Sequence, residues 1–103
     1  MTTEPPVLLT VPGPHVAQLA FNRPRARNAI NSELALAFGT LYRQVEADSD
    51  VWVVILTGAG EEAFCAGADL KEIAAGNGEG LAQACKTFSD FIQQNNRQKP
   101  WIA

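Results

Sequence analysis

An α/β fold is predicted for this 103-residue chain from three features of its sequence. Two short β-rich runs flank a Pro-Gly-Pro junction, an amphipathic helix pattern covers about 32–48, and an unbroken apolar run, Val51 to Leu56, ends shortly before Gly58. Strand, strand, helix and buried strand in that order make a ββα unit running into the next.

The first strand spans Val7 to Val11 and the second His15 to Phe21, with Pro12-Gly13-Pro14 between them. Proline and glycine supply turn geometry there, so the two runs are expected to pair as a hairpin. In the second run Ala17, Leu19 and Phe21 alternate with Val16, Gln18 and Ala20, so one face is expected to be the more buried. His15, the only histidine, is expected as an exposed turn residue. Asn22 to Asn31 then forms a polar loop with Pro24 and the basic Arg23, Arg25 and Arg27. Such a cluster serves either plain solubility or the holding of phosphate by charge and guanidinium forks.

A helix is expected to begin at Asn31 or Ser32, either able to cap it, and to end near Asp48. Leu34, Phe38, Leu41 and Val45 make its apolar stripe, which is core. The run from Asp50 to Thr57 has the composition of a strand covered on both faces. Glu61 and Glu62 follow on a loop and are expected to be solvated. Ile73 to Gly80 is small and Gly-rich, which predicts a flexible segment. A second helix is expected from about Leu81 to Arg97, with Leu81, Cys85, Phe88 and Ile92 buried. Lys99-Pro100-Trp101-Ile102-Ala103 reads as the start of another strand, and Met1 to Pro6 as a loose terminus.

Composition narrows the function classes. With 47% apolar and 18% charged residues the chain is globular rather than disordered. A net charge of -3 gives no reason to expect nucleic acid or an anionic membrane as partner. No apolar run approaches the roughly 20 residues of a spanning helix. The start, Met-Thr-Thr-Glu-Pro-Pro, lacks the marks of a secretory or transit signal, so a cytoplasmic location is expected. Cys65 and Cys85 have no metal-ligand spacing and are expected to be reduced, buried thiols; no metal is expected.

The chemistry concentrates at Phe64-Cys65-Ala66-Gly67-Ala68-Asp69-Leu70-Lys71-Glu72. The small Ala66, Gly67 and Ala68 let a ligand approach bare peptide N–H groups. Asp69 then opens a short helix, where unpaired N–H groups and partial positive charge gather. The segment is suited to an oxygen on which negative charge builds up. Helix capping suits Asp69 better than proton transfer. Phe64 and Leu70 are expected to pack. Gly58-Ala59-Gly60-Glu61-Glu62-Ala63 matches a dinucleotide-binding fingerprint, but Ala66-Gly67-Ala68 would break the helix it requires and the two glutamates would repel pyrophosphate.

This stretch, after the Val-Ile-Leu-Thr-Gly strand, resembles the crotonase family, the enoyl-CoA hydratase/isomerase superfamily. Asn22-Arg23-Pro24 with Arg27-Asn28-Ala29-Ile30, and the ending Lys99-Pro100-Trp101-Ile102-Ala103, resemble two further signatures of the family in the right order. The resemblance runs from about Val7 to Ala103. It implies a crotonase-like α/β fold of repeated ββα units, of which residues 1–103 form the N-terminal part of one domain. It also implies an acyl-CoA substrate and no separate cofactor.

The amide of Ala68 would then be one of two oxyanion donors gripping the thioester carbonyl. Ala66, with the backbone around Gly67 and Ala68, would meet the adenine of coenzyme A. Arg25, with Ala26, and Lys71 would lie near its phosphates, and Asp69 and Leu70 would complete the binding segment. Asn28 and Ala29 would tie the loop to the helix that follows. The second donor and the proton-moving carboxylates come, in the family, from segments after the strand beginning at Pro100, so no residue here matches them. The resemblance favours hydration of a 2-enoyl-CoA, with double-bond isomerisation as the same-family alternative and a non-catalytic CoA-binding or assembly fragment as the alternative of another class. Homotrimers or hexamers are the assemblies it implies.

Overall fold

In a computed structural model, which describes residues 5–61, 63–67, 69–86 and 99–103, the chain opens with the expected hairpin. Strand β1 (Val7–Gly13) runs antiparallel to β2 (Val16–Phe21), with Val7 opposite Phe21 and Leu9 opposite Leu19. Pro14 and His15 make the turn, and His15 takes a positive φ of 64°. His15 is not merely an exposed turn residue. Its Nδ1 donates to the Asp50 carbonyl at 2.8 Å, its ring stacks on Trp52 at 3.7 Å, and its own carbonyl accepts from the Trp52 amide at 2.8 Å. The hairpin end thus anchors the entry to the third strand.

Helix α1 (Ser32–Ala47) connects β2 to β3 (Val53–Gly58), which lies parallel to β2. Two short helices, α2 (Leu70–Ala74) and α3 (Gly78–Ala84), then precede β4 (Trp101–Ile102), parallel to β3. The sheet order is β1-β2-β3-β4. Parallel neighbours require crossover connections, and the helical segments supply them.

Alternation along the strands decides what is buried. Ala17, Leu19 and Phe21 of β2, Val7 of β1, and Val54 and Leu56 of β3 face one side, where they meet Leu34, Ala35, Phe38, Tyr42 and Val45 of α1. Leu34 and Phe38 are wholly buried, each contributing about 1.5–3 kcal/mol by leaving water. The buried face of α1 is wider than the expected stripe, since Ala35, Gly39 and Tyr42 join it and Leu41 is half-buried. Asn31 caps the helix, its side chain accepting from the Leu34 amide at 2.9 Å. At the other end, where the last turn has no basic residue, Lys99 arrives from far along the chain. Its Nζ donates to the Val45 carbonyl at 2.7 Å and to the Asp48 carbonyl, satisfying free helix carbonyls with a cation.

Several expectations are revised. β3 is not covered on both faces among the described residues: Val53 and Ile55 are half-buried and Trp52 is 63% exposed, because α1 packs only on the side of Val54 and Leu56. The Gly-rich stretch Ile73 to Gly80 is structured, with Gly76 at φ 93° turning α2 into α3. Cys65 and Cys85 are free thiols, as expected, but only half-buried; burial, and then the charge of Glu72, push the Cys85 thiol up. Leu70 is 76% exposed and does not pack as expected, whereas Phe64 leans on Phe21 at 5.5 Å while remaining 46% exposed. Of the second helix, Leu81 is buried as expected, while Phe88, Ile92 and the tail to Arg97 lie outside the described residues. So do Met1 to Glu4 and Glu62; Glu61 is exposed.

Candidate functional site

The loop after β2 and the loop after β3 are fastened together by one buried side chain. Asn28 is 0% exposed at φ 58°. Its Nδ2 donates to the carbonyls of Ala59 at 3.0 Å and Ala63 at 2.8 Å, while its Oδ1 accepts from the Arg23 amide at 2.8 Å. The tie-point requires Gly58, where a Cβ would stand 2.4 Å from the Phe64 carbonyl oxygen and 2.7 Å from Asn28 Nδ2. Arg25 leaves the same loop from a short 3-10 turn, Pro24–Ala26, which places its side chain at the surface.

A second seam joins Ile30 to the small-residue stretch. The Ile30 amide donates to the Gly67 carbonyl at 2.7 Å, and the Asp69 amide donates back to the Ile30 carbonyl at 2.8 Å. Gly67 reaches this arrangement at φ 96°. Asp69 caps α2, with Oδ1 accepting from the Lys71 amide at 2.8 Å and the Glu72 amide at 3.4 Å. Its Oδ2 lies 3.0 Å from Nη2 of Arg23. Burial alone would raise its pKa, but the Arg23 guanidinium and the two amides outweigh it and hold the carboxyl below its usual range. Asp69 is therefore an ionised capping residue, in keeping with the sequence expectation.

Glu72 was not singled out from the sequence, yet it joins two helices. Its Oε1 accepts from the Ser32 amide at 2.8 Å and its Oε2 from the Ser32 hydroxyl and the Asn77 side chain. These bonds, chiefly those from Ser32, lower its pKa against the opposing effects of desolvation and of Asp69. The spacing of Ser32 and Glu72 gives no local signal; only a three-dimensional fold brings them together.

Between the two loops lies an open cleft of about 380 Å³. Arg25, Ala26, Ala66, Asp69, Leu70 and Lys71 all line it, so residues 45 or so apart in the chain converge on one concavity. Arg25 and Lys71, with Arg23 and Arg27, set positive charge on its walls, and Ala66 offers backbone without a bulky side chain. Gly67 adjoins it through the Ile30 seam. Ala68 lies outside the described residues. Among the described residues no cluster of histidine, cysteine or carboxylate side chains could hold a metal ion, and no helix is long and apolar enough to cross a membrane.

Comparison with known proteins gives the chain its family. Residues 13–103 match the family model described as enoyl-CoA hydratase/isomerase. The chain is 48% identical over 58 residues to the short-chain-enoyl-CoA hydratase of Clostridium acetobutylicum, covering 56% of this chain and 22% of that protein. It is 42% identical over 115 residues to the mevalonyl-coenzyme A hydratase SIDH of Beauveria bassiana, covering 99% of this chain and 41% of that one. Among solved structures it superposes on an enoyl-CoA hydratase from Bacillus anthracis with a TM-score of 0.81 and 34% identity, covering 93% of this chain and 38% of that structure. The chain thus spans less than half the length of the relatives it matches.

Proposed function

The chain belongs to the enoyl-CoA hydratase/isomerase family and has the crotonase-type α/β fold, and from that premise we propose that it contributes the coenzyme A-binding half of an acyl-CoA enzyme, an enoyl-CoA hydratase. The reaction is addition of water to a 2-enoyl thioester: the nucleophile attacks the β-carbon, and negative charge passes to the thioester oxygen as an enolate. The amide of Ala68 is one donor to that oxygen, worth about 3 kcal/mol of transition-state stabilisation. What supports this is the fixing of its neighbours, since Gly67 and Asp69 are both bonded to Ile30. The proton-moving groups and the second donor belong to the rest of the enzyme. Coenzyme A enters as part of the substrate, with no separate cofactor. A cytoplasmic homotrimer or hexamer is the setting proposed for the whole protein.

The observation that carries the reading is the convergence of Arg25 and Lys71 on one cleft beside Ala66. Four basic residues about a cleft that also holds Ala26, Ala29 and Ala66 suit a phosphate-bearing ligand with a flat base, Arg23 being paired with Asp69. Calorimetric titration tests it directly. Arg25→Ala and Lys71→Ala are each expected to weaken coenzyme A roughly five- to tenfold while affecting the dephospho form less. Equal losses for both ligands would contradict phosphate contact, and no detectable heat with the unaltered protein at about millimolar coenzyme A would refute the site itself.

A further inference from the structure

Arg23 lines the same cleft as Arg25, Arg27 and Lys71, but its guanidinium is committed to partners within the fold. Arg25 and Arg27 are exposed, whereas Arg23 turns inward and is partly buried. Its Nη1 donates to the Ala29 carbonyl at 2.5 Å, and its Nη2 lies 3.0 Å from the carboxylate of Asp69, whose side chain is 11% exposed. Ala29 adjoins Ile30, and Ile30 exchanges peptide hydrogen bonds with Gly67 and Asp69. The guanidinium therefore spans the same seam as those peptide bonds. It does so with a planar fork whose two prongs cannot turn independently. Two peptide hydrogen bonds between loops, competing with water, are a weak clasp by themselves. A charge-assisted bridge beside them stiffens it.

We propose that Arg23 is a positioning residue: through Ala29 and Asp69 it keeps the seam at Ile30 closed and so holds Gly67 and Asp69, the two neighbours of the proposed oxyanion donor, in place. The amide's role rests on the acyl-CoA reading above, whereas the closure of the seam stands on the contacts alone. Asp69 is then an internal anchor, its Oδ2 held by Arg23 and its Oδ1 by the first amides of α2. An oxyanion donor acts chiefly on the transition state, so a loop that drifts loses turnover before it loses ground-state binding.

Arg23→Lys and Asp69→Asn, made separately and together in the full protein, test the proposal by two measurements. Amide hydrogen exchange at Ile30 and Asp69 is expected to quicken roughly tenfold or more in each variant, with β2 and β3 amides unchanged. For a 2-enoyl-CoA, kcat is expected to fall roughly ten- to a hundredfold while KM stays within about threefold. The double variant is expected to be no worse than the poorer single one, because the two residues act through one contact. Lysine keeps the charge without the fork, so it should not rescue. Unchanged exchange at Ile30 and Asp69, or exchange quickened equally throughout the sheet, would overturn the positioning role. So would unchanged kcat in an active enzyme. An unaltered full protein with neither hydration nor coenzyme A binding would instead sink the acyl-CoA reading, and the exchange measurement would still decide the seam. If Arg23→Lys does not fold, Asp69→Asn, nearly isosteric, carries both measurements.

Discussion

Asn28 holds a left-handed backbone conformation in a fully buried position, with both its amide protons and its carbonyl oxygen engaged. Asparagine tolerates that conformation better than most residues, and no other side chain of its size supplies donors and an acceptor together. Asn28→Ala would strand the carbonyls of Ala59 and Ala63 and the Arg23 amide at once. The expected cost is about 2–4 kcal/mol, read as a lower urea midpoint with an unchanged slope. Asn28→Asp should fare no better, since a carboxylate would face two carbonyl oxygens where an NH₂ now donates. A loss below about 0.5 kcal/mol for the alanine variant would mean that water reaches these groups and the loops are not fastened there. From the sequence, Asn28 was legible only through resemblance, as a residue tying its loop to α1. The two carbonyls its amide donates to lie 31 and 35 positions away, beyond any local pattern, and they belong to the loop after β3.

The strands β3 and β4 are legible as apolar runs, but the contacts that hold α2 and the loops, which come from distant side chains, are not. The hairpin and α1 announce themselves through turn residues, a capping asparagine and apolar periodicity. Helix α2 has only five residues, too few to persist alone, and its glycine-rich sequel made the region look flexible. What holds it is a carboxylate at each step: Asp69 caps it and Glu72 binds the start of α1 at Ser32. Both carboxyls lie below their usual pKa range, so the folded chain binds fewer protons than the unfolded one as the medium becomes acid. Their contribution is complete above the unfolded values of about 4 and is lost as pH falls through the lower folded values. Urea midpoints should therefore be level between about pH 7 and 5 and decline below about 4, with a shallower decline in Asp69→Asn/Glu72→Gln. An identical decline in that double variant would place the acid sensitivity on other carboxylates.

At the scale of the whole molecule, the sheet is completed by a strand of two residues, β4, which pairs with β3 at Val54 and Ile55. So short a strand gains little from its ladder, and side-chain packing must hold it. Trp101 provides that packing. Its ring meets Tyr42 at 5.6 Å and Phe38 at 6.4 Å, and its Nε1 donates to Glu46 at 2.8 Å. Lys99, two positions earlier, clasps the end of the same helix. Trp101 and Lys99 thus pack against α1, a role beyond the start of a strand that the sequence predicts there. Trp52 is the natural contrast: 63% exposed, stacked on His15 and away from the core. Trp101→Ala is expected to cost about 3 kcal/mol by the measure of large aromatic truncations, and Trp52→Ala about 1 kcal/mol or less. Their fluorescence offers a second readout on the native protein, since a soluble quencher should reach Trp52 and largely spare Trp101. Comparable losses from the two substitutions, or equal quenching, would show that β4 is not held by its tryptophan and that the sheet closes by some other contact.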